Sequence, residues 1–258
     1  MNNLSHPKLI SEVNVVKTTA VRLPTIDSAL KKLLSAGIQI SNVIDIGVLT
    51  GTGFLVEFFP KAKHYLFEPV DSFFGQIRAG YREVDYELHQ LAVSSSSGTA
   101  FQVGVSADNS RNVTHSYVSE SQVLVGESTP QGVVIECKVI KKIALDDFFY
   151  EASLPSGYLI KIDVDGHEMP IIQGAQDSLK NADIVIIEAP VHSLLERANA
   201  MVKLGFELVE IVDICYYHQL LSQVDLIFIN KKIISQHADL RPWATKEFSF
   251  HQWHAFNP

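Results

Sequence analysis

The stretch Val43 to Gly53, VIDIGVLTGTG, decides how the rest of the chain is read. Val43, Ile44 and Ile46 are β-branched, apolar and close together, the composition of a buried parallel strand. Asp45 interrupts the run where the strand should end. Gly47, Gly51 and Gly53 then provide a turn that accepts positive φ and lets a ligand approach the backbone. Fifteen residues beyond Gly53, in HYLFEPV, a second acid, Glu68, closes another strand-like run. A carboxylate at the tip of a neighbouring parallel strand is placed to hydrogen-bond the two hydroxyls of a ribose. The spacing is Gly-x-x-x-Gly-x-Gly, unlike the Gly-x-Gly-x-x-Gly of dinucleotide sites. The glycines alone also fit a strand-to-helix turn in any α/β protein. Asp45 and Glu68, each at a strand end, turn the reading toward an adenosine-type ligand.

Outward from this stretch, strands and helices alternate. The spacing of Ile26, Leu30, Leu33 and Leu34 predicts a helix over 25–37, capped by Thr25 and closed by Gly37. Further helices are expected over 54–59, 72–81, 145–150, 169–180 and 193–204. Strands are expected over 64–67, 86–94, 158–164 and 184–187, with a final pair over 206–212 and 226–230. That alternation predicts a mostly parallel sheet with helices on both faces. The last pair has too short a link for a helical crossover and is expected antiparallel. Between 94 and 142 the alternation breaks into strand-like runs at 99–105 and 133–140 around a polar stretch, 107–121, which reads as an insertion beside the main sheet. The domain reading is an N-terminal segment 1–39, a main domain 40–232 with its insertion over about 95–142, and a C-terminal extension 233–258. The tail from Gln236 is expected to be a packed extension or a partner contact.

The totals exclude some classes. The chain has 258 residues, 47% hydrophobic and 19% charged, with a net charge of -8 and a pI near 5.7. A non-specific nucleic-acid binder needs a basic face to neutralise phosphates, so no nucleic-acid partner is expected. Cys137 and Cys215 lie in apolar runs and are expected to be buried free thiols of a reducing compartment. No apolar run reaches the ~18 residues a membrane span needs, and MNNLSHPKL lacks a signal-peptide core. The expectation is a cytoplasmic protein without a membrane span.

KIDVDGHE, Lys161 to Glu168, is the second focus. Apolar Ile160, Ile162 and Val164 alternate with Lys161, Asp163 and Asp165, and Gly166 ends the strand. Asp163, Asp165, His167 and Glu168 therefore gather at one strand's C-terminal end, where open α/β sheets bind ligands. A carboxylate beside an imidazole suits proton removal from a hydroxyl, with Asp163 and His167 as the pair. A carboxylate pair can instead hold Mg²⁺ through oxygen, Asp163 being the ligand if a metal is used. The structural alternatives are a loop cap for Asp163, a solvated helix start for His167, and dipole-favoured helix starts for Asp165 and Glu168. Glu188, at the end of another apolar strand, points to the same crevice as a substrate contact, or is a hydrogen-bonded strand-end acid. His115 and Arg111, in the insertion, either reach over the site or belong to a solvated loop.

With these residues in hand, the chain resembles the FkbM-type S-adenosylmethionine-dependent methyltransferases. The matching pieces, in family order, are VIDIGVLTGTG, YLFEP, LAVSSSSGTAF, IALDDFF, LIKIDVDGHEMPIIQGA, DIVIIEAP and QVDLIFINKK, spanning roughly residues 40 to 232. The resemblance implies a class I methyltransferase (Rossmann-like) sheet of seven strands whose last strand is antiparallel. It implies that Asp45, Gly47 and Gly51 shape the methionine side of the cofactor pocket, that Glu68 holds the ribose, and that Leu91 and Ala92, in Leu91–Val93, border the adenine. Asp163 would lie near the transferred methyl. The family pattern has a small residue and then Asn after the first glycine, where this chain has Val48 and Leu49; that bears on polar contacts of the turn, not on its backbone shape. The implied activity is methylation of a hydroxyl on a sugar, glycan or small metabolite, with a homo-oligomer as a further expectation. An NAD-dependent oxidoreductase is opposed by the glycine spacing and the antiparallel last strand. A non-catalytic adenosine-binding regulatory module is opposed by the intact IKIDVDGHE cluster.

Overall fold

The computed structural model describes residues 22–108, 112–152, 157–237 and 240–241, with the side chains of 151 and 152 excepted. The chain divides into two compact units, 24–248 and the two ends 1–23 with 249–258. Nearly all of the second unit, and with it the readings of the N-terminal stretch and of most of the tail, lies outside the described residues.

In chain order the elements are α1 (Ile26–Ser35), β1 (Asn42–Ile46), α2 (Gly53–Phe58), β2 (Lys63–Phe67), α3 (Phe74–Gly80) and β3 (Asp85–His89). A run of strands follows: β4 (Ala92–Ser94), β5 (Gly98–Ser106), β6 (His115–Ser119), β7 (Ser128–Thr129) and β8 (Gly132–Ala144). Alternation then resumes with α4 (Leu145–Ala152), β9 (Tyr158–Ile162), α5 (Glu168–Gln173), α6 (Gln176–Asn181), β10 (Ile184–Pro190) and α7 (Leu194–Lys203). The described part closes with β11 (Phe206–Tyr217), β12 (Leu220–Asn230) and α8 (Lys231–Gln236).

Seven strands form the main sheet in the order β11-β12-β10-β9-β1-β2-β3. β1 pairs in parallel with β2 and β9. β12 runs antiparallel to both of its neighbours, as its short link to β11 predicts. Period-2 alternation sends successive residues to opposite faces. Ile44, Ile46, Ile160, Ile162, Val185 and Ile187 pack against the side of α5, α6 and α7. Val43, Leu159, Ile184 and Ile186 pack against α1 and α2. Each such buried side chain contributes roughly 1.5–3 kcal/mol relative to exposure, so register is strongly specified on both faces. α1 shows the same logic. Ile26, Ala29, Leu30 and Leu33 are buried, and the Ser28 N–H donates to Thr25 Oγ1 at 3.2 Å, which caps the helix.

The insertion is a second sheet, ordered β4-β8-β5-β6, with β7 paired to β8. It has a small core of its own, Val103, Val105 and Val134. The structure differs here from the strand expected over 86–94. That run is two strands: β3 edges the main sheet, and β4 turns away to join the second one. The polar stretch 107–121 also contains a strand, β6, paired antiparallel with β5. The helix expected over 169–180 is two helices separated at Gly174 and Ala175. Gly174 is the reason, because a Cβ there would stand 2.2 Å from the Ser94 carbonyl oxygen. Backbone must pass backbone at that point, which fastens the α5–α6 break to β4.

β11 and β12 are longer than their expected ranges and meet through a two-residue turn, His218 and Gln219, both at positive φ (48° and 64°). Hairpin turns of this kind favour Asn-Gly, so His-Gln gave no signal in the sequence. Neither cysteine is disulfide-bonded. Cys137 is half-buried and Cys215 exposed, which corrects the expectation of two buried thiols; Cys215 lies on the part of β11 that extends past its apolar core. No described helix is long and apolar enough to cross a membrane.

Candidate functional site

The turn after β1 is built by backbone contacts. The Gly47 N–H donates to the Phe67 carbonyl at 3.1 Å, and the Asp163 N–H donates to the Ile46 carbonyl at 3.1 Å. Gly47 sits at φ 84° with the Asp163 carbonyl oxygen only 1.8 Å from where its Cβ would be. No other residue fits, on either count. Leu49 follows at φ 53°, the left-handed region that Asn tolerates and Leu resists. Here Leu49 itself carries the left-handed conformation. The Leu49 N–H donates to Glu68 Oε2 at 2.9 Å, and the Val70 N–H donates to Glu68 Oε1 at 2.8 Å. Glu68 is buried, and burial raises its carboxyl above the usual range while the two backbone bonds oppose this. Each carboxylate oxygen keeps a second lone pair, enough to accept both hydroxyls of a ribose.

Glu68 lines a cavity of about 210 Å³ at the C-terminal ends of β1, β2 and β9. Gly47, Leu91 and Ala92 lie in the same wall, with Phe67 and Val93 adding apolar surface. Asp163, Asp165 and His167 come from the loop after β9, and Gln102, Ser116 and Tyr117 from β5 and β6. The structure thus brings Gly47, Glu68, Leu91, Ala92, Asp163 and His167 to one cavity. Asp45 and Gly51 stand behind it. Gly51 is at φ 131°, a conformation the turn requires. Asp45 is fully buried, accepts from the Tyr81 hydroxyl at 3.0 Å, and has Lys161 Nζ 3.8 Å from its other oxygen. Burial raises the Asp45 carboxyl, with Lys161 opposing. Burial pulls the Lys161 ammonium down, but Asp45, Asp163 and Asp225 outweigh it and its pKa is raised overall.

Asp163 and His167 face the same cavity with different partners. Asp163 Oδ2 accepts from Lys161 Nζ at 3.0 Å. His167 Nε2 lies 2.9 Å from the hydroxyl of buried Ser94. They are not hydrogen-bonded to each other, so the expected carboxylate–imidazole pair is not formed. The alternation of the strand explains this: Lys161 and Asp163, two apart, share a face, and His167 lies beyond the Gly166 turn. Burial pushes the His167 imidazole below its ordinary range, with Lys142 adding to the effect and Glu120 and Glu168 opposing it. That shift favours the neutral form, the form a base needs.

Glu168 is the loop's fastener as well as a helix-start acid. It is fully buried and accepts from the Gly166 N–H at 3.1 Å and the Val164 N–H at 3.3 Å, while Arg197 of α7 donates to its other oxygen. Glu188 is outside the cavity wall. It accepts from Gln223 and faces Asp225 across β10 and β12. Burial, with Asp163, Asp165, Glu168 and Asp225 adding, pushes its carboxyl up to about 8. His115, on β6, also stands outside the wall, with Nδ1 3.0 Å from Thr114 Oγ1. Arg111 lies outside the described residues. Among the described residues no group of three or more His, Cys, Asp or Glu is arranged to hold a metal ion. The cavity-lining Asp163 is engaged by a lysine, a poor start for a cation site, so Mg²⁺ finds no support in these side chains.

Sequence reasoning did not single out Ser94, Lys161, Tyr81 or Arg197. Lys161 carried the one available signal, a cation inside an apolar strand run.

Residues 45–219 match the family model described as the methyltransferase FkbM domain. Among solved structures, the magnesium protoporphyrin IX methyltransferase of Synechocystis PCC 6803, solved with SAM, is 11% identical with a TM-score of 0.44, over 80% of this chain and 77% of that one. The N-methyltransferase NodS of Bradyrhizobium japonicum is 10% identical with a TM-score of 0.41, over 79% of this chain and 93% of that one. No curated protein matches the chain.

Proposed function

The chain belongs to the FkbM methyltransferase family, and on that premise we propose that it transfers a methyl group from S-adenosylmethionine to a hydroxyl of a sugar, glycan or small metabolite. The observation that carries the donor half is Glu68. It is buried at the cavity wall, pinned by the Leu49 and Val70 N–H groups, with lone pairs to spare for a ribose diol. Leu91, Ala92, Val93 and Phe67 supply an apolar surface suited to a purine. The residues present therefore fit the donor.

Bound S-adenosylmethionine supplies a methyl already activated as a sulfonium. What remains for the protein is alignment and the fate of the acceptor's proton. Asp163, held by Lys161, steers the acceptor. Neutral His167 takes the hydroxyl proton as the oxygen attacks the methyl carbon. The acceptor side is completed by Gln102, Ser116 and Tyr117, uncharged hydrogen-bonding groups that suit a polyhydroxy compound.

Thermal unfolding with candidate ligands tests the reading. S-adenosylmethionine or S-adenosylhomocysteine at about 100 Kd should stabilise the fold by about 2.7 kcal/mol, with NAD(H) inert. Glu68→Gln should weaken S-adenosylhomocysteine binding at least about tenfold in titration calorimetry, since a charged acceptor for two hydroxyls is lost. A shift from NAD(H) alone would overturn the donor assignment.

A further inference from the structure

The second sheet reaches the cavity histidine through a chain of four side chains. Ser94, at the end of β4, is completely buried, with its hydroxyl 2.9 Å from His167 Nε2. The same hydroxyl donates to Glu120 Oε1 at 3.3 Å. Glu120 follows β6, and both of its oxygens accept from Lys142 Nζ of β8 at 2.7 Å. Lys142 is itself buried and also donates to Ser96 Oγ at 3.3 Å.

A count of protons gives this chain a direction. Ser94 has one hydroxyl proton to give. Two acceptors compete for it, the Glu120 carboxylate and a bare imidazole nitrogen. Lys142 holds the Glu120 carboxyl below its usual range, so it stays ionised, and an ionised acceptor takes the stronger hydrogen bond. The Ser94 proton therefore goes to Glu120. His167 Nε2 must then be the donor to Ser94 Oγ. A neutral imidazole carries a single N–H, which leaves Nδ1 bare. Nδ1 takes no hydrogen bond among the described residues, and His167 is part of the cavity wall.

We propose that Ser94, Glu120 and Lys142 are positioning residues for His167: they fix its neutral tautomer with the proton on Nε2 and leave Nδ1 as the atom that receives the acceptor's proton. The proposal rests on the reading of His167 as the base of hydroxyl methylation. In that step the acceptor O–H bond breaks and its proton passes to Nδ1. The oxygen's electron pair forms the O–CH₃ bond, and the S–CH₃ bond breaks with its electrons returned to sulfur. The imidazolium so formed still donates through Nε2–H to Ser94, and Ser94 to Glu120, so the new positive charge is stabilised across two hydrogen bonds. Glu168 also favours that charge, and Lys142 opposes it from beyond Glu120.

The test is imidazole ¹⁵N spectroscopy on the full chain, free and with S-adenosylhomocysteine, the His167 signals being identified by their loss in His167→Gln. At neutral pH the wild type should show one tautomer, with a pyrrole-type Nε2 and a pyridine-type Nδ1. Ser94→Ala and Glu120→Gln should each turn that signature into a mixture. Glu120 is mostly exposed, so its variant folds and decides the matter even if Ser94→Ala does not. An Nδ1–H tautomer in the wild type, or a Glu120→Gln spectrum unchanged from it, overturns the proposal. Calorimetry with S-adenosylhomocysteine separates the two layers. Binding together with the wrong tautomer removes the positioning role alone, and the right tautomer without binding removes the donor assignment.

Discussion

At the scale of single residues, the site depends on backbone positions that few side chains tolerate. Leu49 sits at φ 53° with its side chain more than half exposed, so it bears a left-handed conformation with little burial in return. Leu49→Asn should stabilise the protein by about 0.5–1 kcal/mol in urea denaturation, the side chain being better suited to that conformation. Asp163 carries the opposite expectation. Asp163→Asn should leave donor affinity nearly intact and cut turnover on the true acceptor by roughly 10²–10⁴ if the group is a working part of the chemistry. A loop cap alone would leave Asn nearly silent, so normal turnover would remove Asp163 from the mechanism. Glu68 was legible because an acid ending an apolar run is conspicuous. Ser94 was not, because its partner His167 lies 73 positions away and a serine among four serines carries no pattern.

At the scale of elements, the loop after β9 is held by a helix that never lines the cavity. Arg197 of α7 meets Glu168 in a fully buried ion pair, and Glu168 in turn ties Val164 and Gly166. Arg197→Met should destabilise the fold by about 3–5 kcal/mol, because it leaves a buried carboxylate unpaired. Chemical denaturation checks this, and a cost under 1 kcal/mol would mean that Glu168 is satisfied without it. The strand–helix alternation made the main sheet readable, and the short link before β12 made its direction readable. The split of the run 86–94 between two sheets was hidden. Tyr86 to Ser94 is one apolar-rich stretch in composition, and only the tertiary pairing of Ala92–Ser94 with Lys142–Ala144 divides it. The break in the α5–α6 run was hidden for the same reason: Gly174 is required by Ser94, 80 positions earlier, not by its own neighbours.

At the scale of the whole molecule, acids gathered around β10 and β12 make stability depend on pH. Folding raises Glu188 to about 8 from an ordinary 4.5, and Asp225 to about 6 from 3.8, burial being the main cause in each. Between the unfolded and folded values the native state holds protons that the unfolded chain has released. Stability therefore falls as pH rises through that window. Glu188→Gln removes its share, so the variant should gain about 1–2 kcal/mol on the wild type between pH 5 and pH 8, after allowance for partial solvent screening. Equal gains at both pH values in urea melts would show that Glu188 does not titrate as argued. A different consequence follows from Gly47 and the Asp163 carbonyl, which meet too closely for any side chain between them. That contact works as a spot weld between the turn after β1 and the loop after β9, which carries Asp163 and His167. A side chain at position 47 would force the two segments apart. Another part of the wall is side chain rather than backbone: Gln102, Ser116 and Tyr117 of β5 and β6 can be exchanged without touching that weld. The second sheet is thus jaw and brace at once: its β5–β6 face can be exchanged, while Ser94 stays tied to His167, and Lys142 to Ser94 through Glu120.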